Sequence, residues 1–479
     1  MRGYCITALS MNSARLLTAF SLTFLTTLPA AAEVSRTLAS PPTALDRYVA
    51  GKDDHFAWKV VSQLPVAGGK FTVIELTSQQ WLTEKEVDKP VWKHWLKVLT
   101  PDKVENPVGL LMIGGGSNDK PAPEKPDANL TMIALTAKSV VAELTNVPSQ
   151  PLVFAGDGQK RVEDDIIAFC WDKFLRTGDE RWPTRLPMTK AAVRALDAIT
   201  AFSATEQGGK NKVEKFFVTG ASKRGWTTWT TAAVDPRVVG MAPIVIDVLN
   251  LAPSLAHHWE CYGFWAPAIE PYTKIKLSEW AGSPQFKKLA AIEDPWEYRA
   301  RFTLPKYIIN SAGDQFFPCE CSHFYFDGLP GPKWLCYVPN TNHSLKGSDA
   351  WMSLLAFYNA STTGARLPEL TWTTSGEGQL RVTSKDKPTD VLLWQASNEK
   401  ARDFRLETLG PVWKSTKLNP AVEDAWEAKI AKPEKGFTAF FIELTYPNPA
   451  GFAFKFTTEV RVTPEMKPFK YEPPKSVPQ

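Results

Sequence analysis

Residues 216–226 read Phe-Phe-Val-Thr-Gly-Ala-Ser-Lys-Arg-Gly-Trp, and the fold turns on this stretch. Phe216, Phe217 and Val218 have the aromatic and β-branched character of a short buried strand. Gly220 to Gly225 carries the small residues of a sharp turn, and 226–233 continue as a helix. Strand, tight turn and helix is the setting of a nucleophile elbow, which holds a serine hydroxyl at the top of a sheet. Here the glycines and serine are spaced Gly220-x-Ser222-x-x-Gly225, one residue longer than the five-residue elbow. Taken alone, the stretch is equally well a serine in a surface turn, so the case rests on its partners.

Upstream, 108–113 are continuously apolar, as a strand buried on both faces must be. They run into Gly114-Gly115-Gly116-Ser117-Asn118. A glycine loop after such a strand lets backbone N–H groups face a cavity. The oxyanion donors would then be Gly115 or Gly116 together with Lys223, the residue after the serine. No Gly-Lys-Ser/Thr follows, so a phosphate loop is disfavoured. Strands are expected at 56–64, 71–77 and 91–99 as an antiparallel opening, with a further short one at 151–154. Helices are expected at 136–145, 161–176 and 188–202.

Downstream of the elbow, 238–246 read as a buried strand. Residues 250–303 then break the strand–helix alternation with His257-His258-Trp259-Glu260, Tyr262, Phe264 and Trp265. We read them as a helical cap. Its Trp259, Glu260 and Trp265 are candidate substrate contacts, Glu260 as an anchor for a substrate amine, against the plainer reading that they pack the cap down. Strands at 306–311 and 334–338 follow. The first ends in Ala312-Gly313-Asp314, the second in Asn340-Thr341-Asn342-His343, and a helix at 349–358 closes the unit.

Ser222, Asp314 and His343 thus each lie just past the C-terminal end of a predicted buried strand, the edge where sites of open α/β sheets assemble. Serine, then acid, then histidine is the chain order of an α/β-hydrolase triad. A serine hydroxyl is a weak nucleophile and needs a base within hydrogen-bond reach. His343 would take its proton and pass it to the leaving group, while Asp314 would fix the imidazole tautomer. Lys223 and Arg224 beside the nucleophile either favour an acidic substrate or pair with Asp164 or Asp165.

Composition narrows the rest. The 479 residues exceed one compact core. The 55 basic and 51 acidic residues are well mixed, which argues against nucleic acid or an anionic membrane as the main partner. Most of the 18 tryptophans are expected in the core. Arg2 and Arg15, an apolar run from Leu16 to Leu28 and then Pro29-Ala30-Ala31-Ala32 form a secretory signal of 1–32, with Met11 an alternative start. Its removal takes two arginines and no acid. The remaining chain is expected to carry no integral membrane segment and to act in a periplasm or outside the cell. Five cysteines stay: Cys170, Cys261, Cys319, Cys321 and Cys336. An oxidising compartment permits disulfides, but five is odd. Cys319-x-Cys321 with His323 lacks the second pair of a metal site, so neither metal nor cofactor is called for.

Past Gly364 the pattern changes to short strands, at 370–374, 379–383, 390–396, 404–406, 437–446 and 452–462, with turn signals between them and no helices. This suggests an immunoglobulin-like β-sandwich at 364–465, after an α/β-hydrolase domain at 33–363 with its cap at about 250–303. A Pro- and Lys-rich flexible tail follows at 466–479. The sandwich is a candidate surface for a protein or glycan partner, or a buttress.

LLMIGGGSN (110–118), VTGASKRGWTTW (218–229), NSAGDQFF (310–317) and PNTNHSL (339–345), with the leader and the β-rich end, resemble the PhoPQ-activated pathogenicity-related protein family over nearly the whole chain. The resemblance implies a secreted α/β-hydrolase-like protein with Ser222, Asp314 and His343 at the triad positions. Two functions stay open: a serine hydrolase, peptidase or carboxylesterase, that works on a peptide or ester through an acyl-enzyme, and a non-catalytic binding or signalling protein on that scaffold.

Overall fold

The computed structural model describes residues 41–448, 451–474 and 476–478; the expected leader lies outside them. After α1 (Ala44–Ala50), three long strands, β1 (Ala57–Val66), β2 (Gly69–Gln80) and β3 (Val91–Pro101), pair antiparallel. They open a nine-stranded sheet that continues with β4 (Val108–Ile113), α2 (Ala128–Ala137) and β5 (Val141–Leu144). The expected helix at 136–145 is corrected here. The helix lies earlier, capped by the Asp127 carboxylate on the N–H groups of Asn129 and Leu130. Val141 to Leu144 instead form β5, because β-branched Val141 and its apolar neighbours fit the buried gap between β3 and β4.

A small hairpin, β6 (Leu152–Val153) and β7 (Lys160–Arg161), leads to α3 (Asp164–Thr177) and α4 (Arg185–Ser203). Nearly all of α4 is buried, consistent with its run of alanine and leucine. Then come β8 (Lys215–Ala221), α5 (Lys223–Val234) and β9 (Val238–Ile244). The cap holds α6 (Leu251–Tyr262), α7 (Glu270–Lys274), α8 (Leu277–Trp280) and α9 (Pro284–Glu293). The sheet closes with β10 (Lys306–Ser311) and β11 (Lys333–Val338), followed by α10 (Ala350–Thr363). Strand order is β1-β2-β3-β5-β4-β8-β9-β10-β11, parallel from β5 onward. This mainly parallel sheet with helices on both faces is an α/β-hydrolase fold, in which β8 and the elbow sit at the centre. Trp81, Trp92, Trp171 and Trp229 are fully buried, as core tryptophans are expected to be.

The C-terminal part is two antiparallel sheets. One is β12 (Leu370–Thr373), β13 (Gln379–Ser384) and β16 (Ala425–Lys429). The other is β15 (Lys414–Lys417), β14 (Asp390–Asn398), β17 (Phe437–Tyr446) and β18 (Phe454–Thr457), with β19 (Arg461–Thr463) on β17. Val382, Leu393, Trp426 and Ile442 from the two sheets share one apolar cluster with Tyr307 and Phe357 of the parallel-sheet domain. Alternate residues of β17, Phe437, Ala439 and Phe441, join the other cluster. Burial on both faces explains why this strand carries the continuous apolar run from Ala439 to Ile442.

Two further expectations change. Residues 404–406 are not a strand, and α11 (Leu406–Leu409) follows directly, because Arg405 is held by Asp403 and Glu407 in a local ion-pair turn. Residues 466–474 do not hang free, since they lie across the cap. The Phe469 N–H donates to the Glu260 carbonyl at 3.2 Å, and the Tyr471 hydroxyl donates to the Ser278 carbonyl at 3.1 Å. No helix among the described residues is long and apolar enough to cross a membrane.

Candidate functional site

Ser222 lies between the last residue of β8 and the first of α5, with φ 59° and ψ −130°. A side chain in that left-handed region is strained by about 1–3 kcal/mol. The turn is tight because α5 starts against two strands. A Cβ on Gly220 would meet the Arg224 carbonyl oxygen at 2.7 Å, and one on Gly225 the Ile244 oxygen at 2.8 Å. The extra residue in the motif is thereby explained. The glycine demanded by helix–strand contact falls at 225, and position 224 is free to carry a long side chain.

The His343 Nδ1 stands 2.8 Å from Asp314 Oδ2. The other oxygen of Asp314 accepts the Phe316 N–H at 2.8 Å. Asp314 is 3% exposed, and the Phe316 ring lies 4.3 Å from the imidazole, centroid to centroid. Acid and base are side by side because β10 and β11 are adjacent and in register, Ser311 opposite Val338. The His343 Nε2 is buried and has no hydrogen-bond partner. Ser222 and His343 line one cavity of about 350 Å3 together with Gly114, Gly115 and Ala221. All three triad candidates therefore converge, with the base–acid bond formed and the base–nucleophile bond open.

The two halves of the oxyanion expectation differ. Gly115 lines the cavity, whereas Gly116 is not among its lining residues. The Gly116 carbonyl instead accepts from Gln150 Nε2 at 2.7 Å, and its φ of 142° with Asn146 Oδ1 crowding it leaves no room for a Cβ. Lys223 opens α5, where the first N–H groups have no partner inside the helix, so its backbone remains a candidate donor.

Lys223 and Arg224 turn inward and pair with acids. Lys223 Nζ is 2.8 Å from Glu163 and 3.0 Å from Asp164. Arg224 grips Glu163 with both terminal nitrogens, at 2.7 and 2.8 Å, and its guanidinium fills the space a Gly115 side chain would need. Gln150 binds the Glu163 carboxylate and the Gly116 carbonyl with one amide group. Burial pushes the Glu163 carboxyl up, but Arg224 and Lys223 outweigh it and hold it well below the ordinary range. Of the pairings weighed from sequence, Asp164 is correct. Glu163, the chief partner, was missed; an acidic pair opening a helix is the signal that could have found it.

The cap candidates are corrected. Trp259, Glu260 and Trp265 line neither cavity at Ser222. Trp265 packs on Trp259 and Tyr471, and the carbonyl of Glu260 receives the tail. The cap reaches the serine through Leu251, Leu255, Ile269, Tyr272 and Leu277 instead. With Trp226 and Phe316 they line a second cavity, about 80 Å3, against Ser222.

A buried carboxylate also went unpredicted. Asp247, just past β9, accepts the hydroxyls of Tyr325 at 2.7 Å and Tyr337 at 2.6 Å. Burial pushes its pKa up to about 7 against the two phenols, and the nearby Asp314 charge adds to the rise. All five cysteines are free and buried. His257, Cys261 and Glu320 bring ligand atoms within 4.8 Å of one another, but Arg402 pairs with Glu320 and Lys467 meets His257 there. Burial beside Glu320 lifts the Cys261 thiol to about 12. Cations already neutralise this carboxylate, and a protonated thiol is a poor ligand, so the residues do not fit a metal ion.

A family model described as PhoPQ-activated pathogenicity-related protein matches residues 45–405. Over 456 residues the chain is 36% identical to autocrine proliferation repressor protein A of Dictyostelium discoideum, covering 89% of this chain and 92% of that protein. Among solved structures, it is similar to acetyl xylan esterase 1 from Thermoanaerobacterium sp. JW/SL YS485, with 14% identity, TM-score 0.44, and 66% and 90% of the two chains covered. Acetyl xylan esterase from Paenibacillus sp. R4 gives 14%, 0.46, 66% and 92%.

Proposed function

The chain belongs to the PhoPQ-activated pathogenicity-related protein family, and from its site we propose that it is a serine hydrolase of the periplasm or cell exterior. The supporting observation is the buried Asp314–His343 bond at 2.8 Å, with a buried, unpartnered Nε2 on the histidine that shares a cavity with a strained Ser222. Ser222 Oγ attacks an acyl carbon as His343 takes its proton. The oxyanion is held by backbone N–H groups of Lys223 and Gly115. The leaving group departs with the proton from His343, and water releases the acid by the same steps in reverse order. Ester substrates are favoured over peptides. Glu260, the anchor for a peptide amine, does not reach the site.

The test is covalent labelling by a fluorophosphonate, mapped by mass spectrometry. Labelling of Ser222 that disappears in His343→Ala supports the proposal; a folded protein that stays unlabelled by a small sulfonyl fluoride as well refutes it. A second reading draws on the name of the Dictyostelium relative: a signalling protein that uses the cap or the C-terminal sheets to contact a protein or glycan. A biological effect retained by Ser222→Ala would favour it.

A further inference from the structure

Ser222 is shared by two cavities that differ in size and in the polar groups they offer. The smaller, on the cap side, is walled by Trp171, Trp226, Val248, Leu255, Leu277 and Phe317. Most polar atoms in this wall are already used, the buried indole N–H of Trp171 being the exception. Trp226 Nε1 donates to the Glu293 carbonyl, the Tyr272 hydroxyl donates to Asp164 at 2.9 Å, and Lys223 is paired with Asp164. Apart from Ser222 and the Trp171 indole N–H, the wall is chiefly apolar. Its volume is about 80 Å3. An apolar cavity of about 150 Å3 takes a benzene ring, so this one has room for roughly three carbon atoms.

The larger cavity has a mixed lining. It contains His343, Asn129 and Glu143 beside Leu130, Trp351 and Leu354, and measures about 350 Å3. The leaving group must receive its proton from His343, so it has to depart through the cavity His343 lines. The acyl chain is then directed to the other side.

Resting on the hydrolase reading, we infer that the cap-side cavity is an acyl subsite, and that this chain acts on short-chain acyl esters, acetyl to butyryl, of larger alcohols. In the step proposed, the Ser222 Oγ–acyl bond forms as the ester C–O bond breaks. The proton passes from Oγ through His343 Nε2 to the alcohol oxygen. Water then supplies the hydroxyl of the released short-chain acid and returns a proton to Ser222. Size selection follows from the wall. Each methylene that fits is worth about fourfold in kcat/KM, and each one beyond the cavity has to displace Leu255, Leu277 or the cap itself.

The experiment uses the whole purified protein and a series of p-nitrophenyl esters from acetate to octanoate. We expect kcat/KM to peak between acetate and butyrate and to fall at least tenfold by octanoate. Leu255→Ala, at a half-buried position, is expected to move the peak to longer chains. Val248→Phe, which fills the cavity, is expected to retain acetate and lose butyrate. Octanoate cleaved as well as acetate, or a chain-length profile unmoved by both variants, overturns the subsite while Ser222 labelling keeps the hydrolase reading. No ester cleaved and no label on Ser222 overturns both.

Discussion

Replacing Glu163 by glutamine tests how the oxyanion loop is held. Glu163 joins three parts of the site: Arg224 and Lys223 at the start of α5, and, through Gln150, the carbonyl of Gly116. Glutamine keeps the length and loses the charge. Each hydrogen bond to a charged group contributes about 1.5–3 kcal/mol. The Glu163 side chain is 38% exposed, however, so water replaces part of what is lost, and Lys223 keeps Asp164 at 3.0 Å. A net loss of about 1–2 kcal/mol in stability follows.

The kinetic consequence is separate. Loss of a whole oxyanion donor costs about 3–4 kcal/mol in the barrier. A loosened loop forfeits part of that, so kcat should fall about ten- to thirtyfold with KM little changed. The pH arm carries its own sign. A carboxyl whose folded pKa is depressed stabilises the fold above its unfolded value, about 4.3, and loses that contribution as pH falls toward the folded value. Urea melts of the wild type and Glu163→Gln should therefore converge on acidification below about pH 4.3. If Glu163→Gln lowers stability but leaves kcat intact, Glu163 only packs the fold, and the brace is refuted.

Asp247 predicts the opposite pH behaviour. Its pKa of about 7 in the folded protein means that stability falls as pH rises from about 4 to 7, where the unfolded chain ionises and the folded one does not. Asp247→Asn should gain on the wild type across that window, by up to about 4 kcal/mol, as read from Tm at pH 4, 5.5 and 7.5; a constant gap would disprove the burial argument. Deleting 466–479 removes the Phe469 ring packed on Gly263 and the Tyr471 bond to Ser278. We expect a loss of about 2 kcal/mol and faster amide exchange in α6 to α8 with β8 to β11 unchanged; exchange that rises uniformly, or not at all, contradicts the strap.

What the sequence disclosed follows from how local each signal is. The strand–turn–helix at 216–234 and the loops holding Asp314 and His343 were legible because each is a buried run broken by small or polar residues, and parallel topology then sets their order at one sheet edge. Helix α2 was misplaced because Ala-Leu-Thr-Ala before a lysine runs without a break into Val-Val-Ala-Glu-Leu; only the neighbouring strands β3 and β4 make the latter a strand. Strand β15, Lys-Ser-Thr-Lys, is an exposed edge with no apolar face to announce it. The partners of Glu163, and the roles of Asp247 and the cap leucines, were hidden for a different reason. Their roles come from contacts across long sequence separations, 61 residues from Glu163 to Arg224 and 90 from Asp247 to Tyr337. Cap tryptophans attracted attention by type, yet the cavity is walled on the cap side chiefly by aliphatic side chains.

The strain at Ser222 offers a test that does not depend on knowing the substrate. A non-glycine residue at φ 59°, ψ −130° costs about 1–3 kcal/mol, and the orphaned Nε2 of His343 adds the cost of an unsatisfied buried polar atom. A fold maintained only as a scaffold gains nothing from either. Two substitutions separate strain from chemistry. Ser222→Ala removes the nucleophile but keeps a Cβ, and so keeps the strain. Ser222→Gly removes both, at the expense of about 0.5–1 kcal/mol of added freedom in the unfolded chain. Ser222→Gly should therefore be more stable than Ser222→Ala by about 0.5–2 kcal/mol in urea melts at constant m, while both lose fluorophosphonate labelling. If alanine proves as stable as glycine there, the turn is not strained in solution. The elbow would then lose its main physical mark, and the hydrolase reading would rest on the Asp314–His343 pair alone.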